Sequence, residues 1–389
     1  MLLVEPERPT LPSSRVEWLD RHLERICVLS ELTPTQYRNA EEKYKAVGTW
    51  LAAPGSALAP LAPVIYPQGS MLLGTTVRPY NSRHEYDLDL VCQLHRCDHK
   101  PPMVVYQWVQ DRLAANQVYK EILEPLKRCL RLNYAGAFHL DILPACPNDQ
   151  LGNGAIHVPD RKRECWKDSN PKGFAAWFFE RCVIRDVLAE RVLKATVEPL
   201  PSAVPSEYKY PLQRIVQLMK RHRDIFFAGG RDIARSVILT TLAGEFYGGQ
   251  RSLSLALEAV LDGINAALER HPTVPRIENP VHRGENFADT WDQEKYDEFR
   301  AYVRNFRHTL KRALLPSLVE ERKGLEALSG PLGELFGAER VREALRLEAA
   351  GLNESRDKGA LGITAAGLLS TNITAPKLVP VTRNQFFGR

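Results

Sequence analysis

The stretch Tyr86-Asp87-Leu88-Asp89-Leu90-Val91 decides how the rest of the chain reads. As a strand it turns Asp87 and Asp89 to one face and Leu88 and Leu90 to the other, because side chains alternate. Aspartate is disfavoured in strands. Two neighbouring carboxylates also raise each other's pKa unless a cation lies between them. An exposed strand alternating Asp and Leu needs no function, so the pair takes its meaning from the segments around it.

Upstream, Tyr66-Pro67-Gln68-Gly69-Ser70 leads into Met71-Leu72-Leu73-Gly74-Thr75-Thr76. A Gly-Ser turn that opens a short helix offers backbone N–H groups and a hydroxyl to an anion. Downstream, Phe138-His139-Leu140-Asp141-Ile142-Leu143 is a second alternating strand, with Leu140 and Ile142 on its apolar face and Asp141 opposite. Gly-Ser, then Asp-x-Asp, then a lone Asp on a later strand is the ingredient set of a metal-dependent nucleotidyltransferase. Such a transfer needs Mg²⁺, with Mn²⁺ as a substitute, because a hard cation prefers carboxylate oxygen and two ions clamp the attacking and leaving oxygens. Asp87 and Asp89 are expected to bridge both ions, and Asp141 to ligate the one on the acceptor side. Gln68, Gly69 and Ser70 are expected to hold the donor triphosphate.

The chain has 389 residues, enough for two domains, with 44% hydrophobic and 25% charged residues. A net charge of +5 suits a polyanionic small substrate without demanding a long nucleic acid. Met1-Leu2-Leu3-Val4 runs straight into Glu5-Pro6-Glu7-Arg8-Pro9, which is no signal peptide, and no long apolar run points to a membrane. The most apolar window, Leu51 to Pro67, is interrupted by Pro54, Pro60 and Pro63 and reads as a linker. Seven scattered cysteines fit reduced thiols in a cytoplasmic protein. His95, Cys97 and His99 lack the matched second pair a zinc site needs.

Taken in order, helices are expected over Val16–Leu29, with Ser13 or Ser14 as cap, and from Thr33-Pro34-Thr35 to about Ala52. A helix from about Met103 to Asn116 and strands near Lys127–Tyr134 and Ala137–Leu143 complete a small mixed α/β lobe with the three carboxylates on one face. From Pro144 to Pro171 the composition is that of a loop, and the basic run Arg161-Lys162-Arg163 reads as solvated. Helices follow over Phe174–Lys194, Pro211–Phe227, from Asp232 to Gly248-Gly249, and over Leu253–Arg270, Asp292–Leu314 and Pro331–Ala349. The expected organisation is thus α+β. Residues 1–150 form a nucleotidyltransferase lobe with an N-terminal spine helix, 151–369 a helical lobe, and 370–389 a flexible tail.

Two residues of the helical half stand out. Lys220 flanks the apolar stripe of its helix, and Ser236 sits in the first turn or so of the next one. A lysine beside a helix N-terminus makes a second phosphate-holding corner. A snorkelling lysine and a tolerated helical serine explain the same residues without a ligand.

Together these residues resemble the bacterial cGAS/DncV-like nucleotidyltransferases, the cyclic-oligonucleotide synthases of antiphage signalling. The resemblance runs from about Gln68 to Trp291. It rests on Gln68-Gly69-Ser70, Asp87/Asp89, Asp141, Trp166 with Ser169-Asn170-Pro171, Lys220, Ser236, Asn279-Pro280 and Glu285-Asn286-Phe287-Ala288-Asp289-Thr290-Trp291. It implies a polymerase-β-like lobe joined to a helical lobe, with Lys220 and Ser236 on the donor triphosphate. It also implies ATP or GTP as substrates, a cyclic di- or trinucleotide as product, and a downstream effector that senses it. Operon-encoded regulators acting on the tail, which ends Phe386-Phe387-Gly388-Arg389, belong to the same picture, whereas no nucleic-acid activator is expected. A template-independent RNA-extending enzyme of poly(A)- or CCA-adding type uses the same triad. It would need a basic track, for which Arg214, Arg221, Arg223 and Arg235 are the available residues. A degenerate fold that only binds nucleotide or a partner is the non-enzymatic rival, disfavoured by the three carboxylates and the Gly-Ser turn.

Overall fold

A computed structural model of the chain describes residues 13–80, 85–97, 99–152, 154–183, 198–201, 209–228, 233–314, 326–363, 369–370 and 379–381. Helices α1 (Ser13–Ser30) and α2 (Pro34–Leu51) come first, and Thr33 opens α2 through a capping box with Gln36. Strand β1 (Val64–Pro67), the short helix α3 (Gly69–Leu73) and strand β2 (Tyr86–Gln93) follow. Helices α4 (Pro102–Ala114) and α5 (Gln117–Ile122) lead to strands β3 (Leu123–Pro125), β4 (Leu130–Tyr134), β5 (Phe138–Pro147), β6 (Ile156–Asp160) and β7 (Cys165–Ser169). Next come α6 (Pro171–Cys182), α7 (Pro211–Phe226), α8 (Ser236–Phe246), α9 (Leu253–Arg270) and a hairpin of β8 (Glu278–Asn279) and β9 (His282–Asn286). Beyond it lie α10 (Gln293–Leu314), α11 (Glu326–Phe336), α12 (Ala338–Asp357) and a small sheet of β10 (Gly362–Ile363), β11 (Leu369–Ser370) and β12 (Val379–Pro380).

Strands of the main sheet are ordered β1-β2-β5-β4-β3, with β6 pairing both β5 and β7. The pairing of β2 with β5 is parallel and its other neighbours are antiparallel, so the sheet is mixed as expected. A parallel pair needs a crossover, here the segment from α4 to β4. Leu88, Leu90, Leu130, Leu132, Leu140 and Ile142 are fully buried, in one core with Tyr44, Val47 and Leu51 of α2 and Val105, Val109 and Leu113 of α4. Alternation then forces Asp87, Asp89, Arg131, His139 and Asp141 to the opposite face. Among the described residues, 30–306 form one compact unit, which holds this sheet and α2 to α9. Residues 13–29 and those from 307 onward form a second, in which Arg25 and Arg21 pair with Glu348.

Several local expectations are corrected. The stretch from Pro144 to Pro171 is not all loop: β5 runs on to Pro147, and β6 and β7 extend the sheet past residue 150. Strands of five residues set among Pro147, Gly152, Gly154 and Pro159 are too short for their alternation to outweigh the breakers. Val64–Pro67 likewise pairs with β2 instead of linking. The helix expected over Pro331–Ala349 is two, divided at Gly337, whose φ of 93° no right-handed helix continues through. Helix α8 begins at Ser236, after an N-cap position held by Arg235, while Asp232 lies outside the described residues, as do 184–194 of the helix expected to reach Lys194. Of the tail, Val379–Pro380 pairs with β10, and 371–378 and 382–389 lie outside the described residues. Cys97 and Cys146 are joined as a disulfide instead of standing as reduced thiols, with Cα atoms 6.0 Å apart. Cys97 follows β2 and Cys146 lies one residue before the end of β5, so the pairing of those strands brings them together. Among the described residues no helix is long and apolar enough to cross a membrane.

The core assignment has a direct consequence. Leu140→Ala in the middle of β5 is expected to lower unfolding free energy by about 2–5 kcal/mol, read by urea denaturation. A loss below about 0.5 kcal/mol would place Leu140 outside a packed core.

Candidate active site

The parallel register sets Asp87 opposite His139 and Asp89 opposite Asp141, while β4 sets Arg131 opposite Asp141 from the other side. Arg131 forks onto Asp141, with Nε 2.7 Å from Oδ1 and Nη2 2.8 Å from Oδ2, and the same Nη2 reaches Asp87 Oδ1 at 3.3 Å. One nitrogen thus touches both carboxylates, which places them within reach of a single shared cation. His139 stands between Glu85 and Asp87, its Nε2 2.7 Å from Glu85 Oε2 and its Nδ1 3.4 Å from Asp87 Oδ1. Glu85 also accepts the Gly136 N–H at 2.7 Å and so ties the β4–β5 turn to this row.

Asp89 is partly reached by solvent along its edge yet enclosed by protein, and its pKa is pushed up to about 8. Burial is the largest cause, followed by the charges of Asp141 and Asp87, against which Lys220 and Arg131 pull the other way. A carboxyl held neutral by burial and by two neighbouring carboxylates is a site short of positive charge. That is the electrostatic condition a divalent ion satisfies, and an all-carboxylate donor set matches Mg²⁺ or Mn²⁺. Among the described residues no group of three His, Cys, Asp or Glu is placed so that it could hold a metal ion. Asp141 faces Arg131, which acts as its counter-charge.

Gly69, at a φ of 61°, packs directly on Asp89: a Cβ there would come within 2.4 Å of Asp89 Oδ2. Only glycine allows the turn to approach the carboxylate this closely. Gln68 N–H donates to the Asp89 carbonyl at 3.0 Å, and Thr76 Oγ1 lies 3.0 Å from Ser70 Oγ. The segment that follows is gripped by α7. Gln213 Nε2 donates to the Leu73 carbonyl (2.8 Å), Gln217 Nε2 to Thr76 O (3.1 Å), Lys220 Nζ to Thr75 O (3.0 Å) and Arg221 Nη2 to Arg78 O (2.7 Å). Residues 213, 217, 220 and 221 share one helix face, and all four are buried.

A cavity of about 240 Å³ opens over this corner. Gln68, Gly69, Ser70, Asp89, Lys220 and Ser236 all line it, so the residues singled out in the helical half meet those of the sheet. Ser236 Oγ accepts from Arg223 Nη1 at 3.0 Å, and Arg223 is anchored by Asp224 at 2.6 Å. Asn170, which caps α6 by accepting from Gly173 N–H, lines the same cavity, as do Phe174, Asn279, Glu285 and Phe287. Arg131, His139 and the α7 glutamines escaped the sequence reading. Their signals were present, in the alternation Leu130-Arg131-Leu132-Asn133 and in the helical spacing of Gln213, Gln217 and Arg221. The arginines proposed as an RNA track do not form one. Arg214, Arg221 and Arg223 are buried, and Arg235 donates to the Phe287 carbonyl and to Asp289.

Residues 21–181 match the Second Messenger Oligonucleotide or Dinucleotide Synthetase domain. The chain is 34% identical over 384 residues to a c-di-GMP synthase of Roseivirga ehrenbergii, covering 95% of this chain and 97% of that one. It is 29% identical over 327 residues to the cyclic dinucleotide synthase CdnG of Bradyrhizobium diazoefficiens, covering 76% and 75%. The structure of that CdnG in complex with GTP superposes with a TM-score of 0.67 at 25% identity, over 85% of this chain and 98% of that one. Escherichia coli DncV in its 3′-deoxy GTP bound form shares the fold at a TM-score of 0.52 and 15% identity, over 86% and 94%.

The raised pKa of Asp89 carries a stability signature. Its folded value lies above its unfolded one, so it adds no penalty below about pH 4 and its full ionisation cost above about pH 8. Without divalent metal, Asp89→Asn is therefore expected to melt a few degrees above the parent at alkaline pH and level with it near about pH 4. Thermal melts across that range check this, and an offset independent of pH would remove the ionisation of buried Asp89 as its cause.

Proposed function

The chain belongs to the cGAS/DncV-like nucleotidyltransferases, and from that premise we propose that it joins GTP into a cyclic dinucleotide in a Mg²⁺-dependent reaction that releases pyrophosphate. It is a cyclic oligonucleotide synthase, and nucleoside triphosphates are its substrates. The observation that carries the mechanism is the Asp89–Asp141 register, with Asp87 on the same face, beside a cavity lined by Ser70, Lys220 and Ser236. Lys220 supplies a positive charge and Ser70 and Ser236 supply hydroxyls to the donor triphosphate, so that the α-phosphorus is held over the carboxylates. An acceptor hydroxyl then attacks that phosphorus, the bond to the bridging oxygen of pyrophosphate breaks, and a second round closes the ring. Asp87, Asp89 and Asp141 would hold Mg²⁺, which would supply charge neutralisation at the phosphoryl group and favour loss of the acceptor proton. No side chain need act as a nucleophile, and positioning and electrostatics carry the rate.

GTP as the substrate is supported by the product named for the Roseivirga ehrenbergii relative and the ligand of the Bradyrhizobium diazoefficiens structure. We propose in addition a role in antiphage signalling, with the product acting on a downstream effector, from the resemblance to that family alone.

Incubation with labelled GTP and Mg²⁺, followed by phosphatase, is expected to leave a resistant small product. Asp87→Asn with Asp89→Asn should cut its yield by more than about a hundredfold while the melting transition persists. Full activity in that double variant would remove these residues from the metal site. Lys220→Met should raise the apparent KM for the triphosphate by about tenfold or more, and an unchanged KM would take Lys220 off the donor.

A further inference from the structure

The cavity that takes Ser70, Lys220 and Ser236 also takes a carboxylate, and a carboxylate is misplaced beside a triphosphate. Glu285 lies on β9, in the hairpin with β8, and lines the cavity together with Asn279, Phe174 and Phe287. Its orientation is fixed. Asn279, 3% exposed, donates from Nδ2 to Glu285 Oε2 at 2.9 Å, and Asn279 Oδ1 accepts the Val281 N–H at 3.0 Å. That backbone bond settles which end of the amide is oxygen, so Nδ2 is the donor toward Glu285. The hairpin itself is anchored: Asn286 Oδ1 accepts from Ile277 N–H and Ala288 N–H at 2.9 and 3.0 Å. Arg235, at the start of α8, holds the Phe287 carbonyl, and Trp291 Nε1 donates to Ile233 O at 2.9 Å. Glu285 Oε1 has no protein partner among the described residues.

We propose that Glu285, oriented by Asn279, reads the Watson–Crick edge of guanine and makes the chain selective for GTP. This rests on the nucleotidyltransferase reading of the cavity. A pre-aimed carboxylate offers acceptors only, and two of them side by side call for two adjacent N–H donors. Guanine presents that pair, N1–H and the N2 amine. Adenine and cytosine each set one amine beside a ring-nitrogen acceptor, which a carboxylate repels, and uracil sets its one N–H between two carbonyls. Phe174 and Phe287, with ring centroids 6.1 Å apart and planes nearly perpendicular, supply the apolar wall a purine needs. The other use of such a carboxylate is to accept from ribose hydroxyls, and that would not distinguish bases.

Titration of the full chain with GTP, ITP and ATP separates these outcomes, because ITP keeps N1–H and lacks the N2 amine. Calcium in place of magnesium keeps the nucleotides unreacted during the titration. GTP is expected to bind about ten- to a hundredfold tighter than ITP or ATP. Glu285→Gln, which keeps the shape and loses one acceptor, should bring the GTP-to-ITP ratio close to one. Equal affinity of the unmodified chain for GTP and ATP overturns the proposal and leaves the ribose, and this comparison needs no variant to fold. A ratio unchanged in Glu285→Gln overturns it as well. A GTP preference without any phosphatase-resistant product would keep Glu285 as the guanine reader while removing the synthase reading. Product made equally well from ATP would do the reverse.

Discussion

The site depends on an arrangement that is unfavourable by itself, three carboxylates on one face of two parallel strands. What enforces it is the other face, where Leu88, Leu90, Leu140 and Ile142 are fully buried against α2 and α4. A slip of one residue in either strand would expose that row and bury the acids, so the apolar register dictates the polar one. Burial and, after it, repulsion from Asp141 and Asp87 push the pKa of Asp89 up to about 8. Arg131 relieves part of the repulsion by forking onto Asp141 and reaching Asp87. The protein therefore supplies one cation of its own and leaves a deficit at Asp89, nearest the turn where a triphosphate and its metal would arrive.

Helix α7 links this deficit to the corner formed by Gly69 and Ser70. Its buried polar face gives Gln213 to the carbonyl that ends α3, and Gln217, Lys220 and Arg221 to three carbonyls of the segment between α3 and β2. Buried donors without partners are costly, so each bond fixes both helix and segment. Lys220 serves two purposes from one position. It binds Thr75 while lining the cavity, and its charge lowers the cost of ionising Asp89. Gly69 completes the coupling, since its missing Cβ is what lets the turn lie against Asp89.

Much of this was legible in the sequence, for physical reasons that differ by element. Asp87, Asp89 and Asp141 stood out because acids are rare in strands and alternate with leucines, and the register shows them sharing a face. Helices α2, α7 and α9 carried caps, an early proline or regular apolar spacing, and their ends fall within a residue or two of expectation. Strands β1, β6 and β7 were hidden because four or five residues among prolines and glycines leave little alternation to read. Arg131 was passed over because it acts through space. Its partner Asp141 lies ten residues on, and only the antiparallel pairing of β4 with β5 makes them neighbours.

A division of labour follows from where each kind of signal resides. The phosphate and metal chemistry proposed above falls on segments whose local sequence declares it, because a tight glycine turn and a strand of acids each impose a backbone requirement. Base reading has no such requirement: any hairpin that points an acceptor pair into the cavity will serve. Here it is β8 and β9, strands of two and five residues, whose register is irregular at Glu278 and Asn279. What specifies that hairpin is a set of side-chain-to-backbone bonds from Asn279, Asn286 and Arg235, none of them a pattern that periodicity detects. The reacting centre can thus be held by the sheet while the choice of base is set on an element that contributes nothing to the main hydrophobic core. Exchanging one side chain there would change which nucleotide is accepted without disturbing how it is joined.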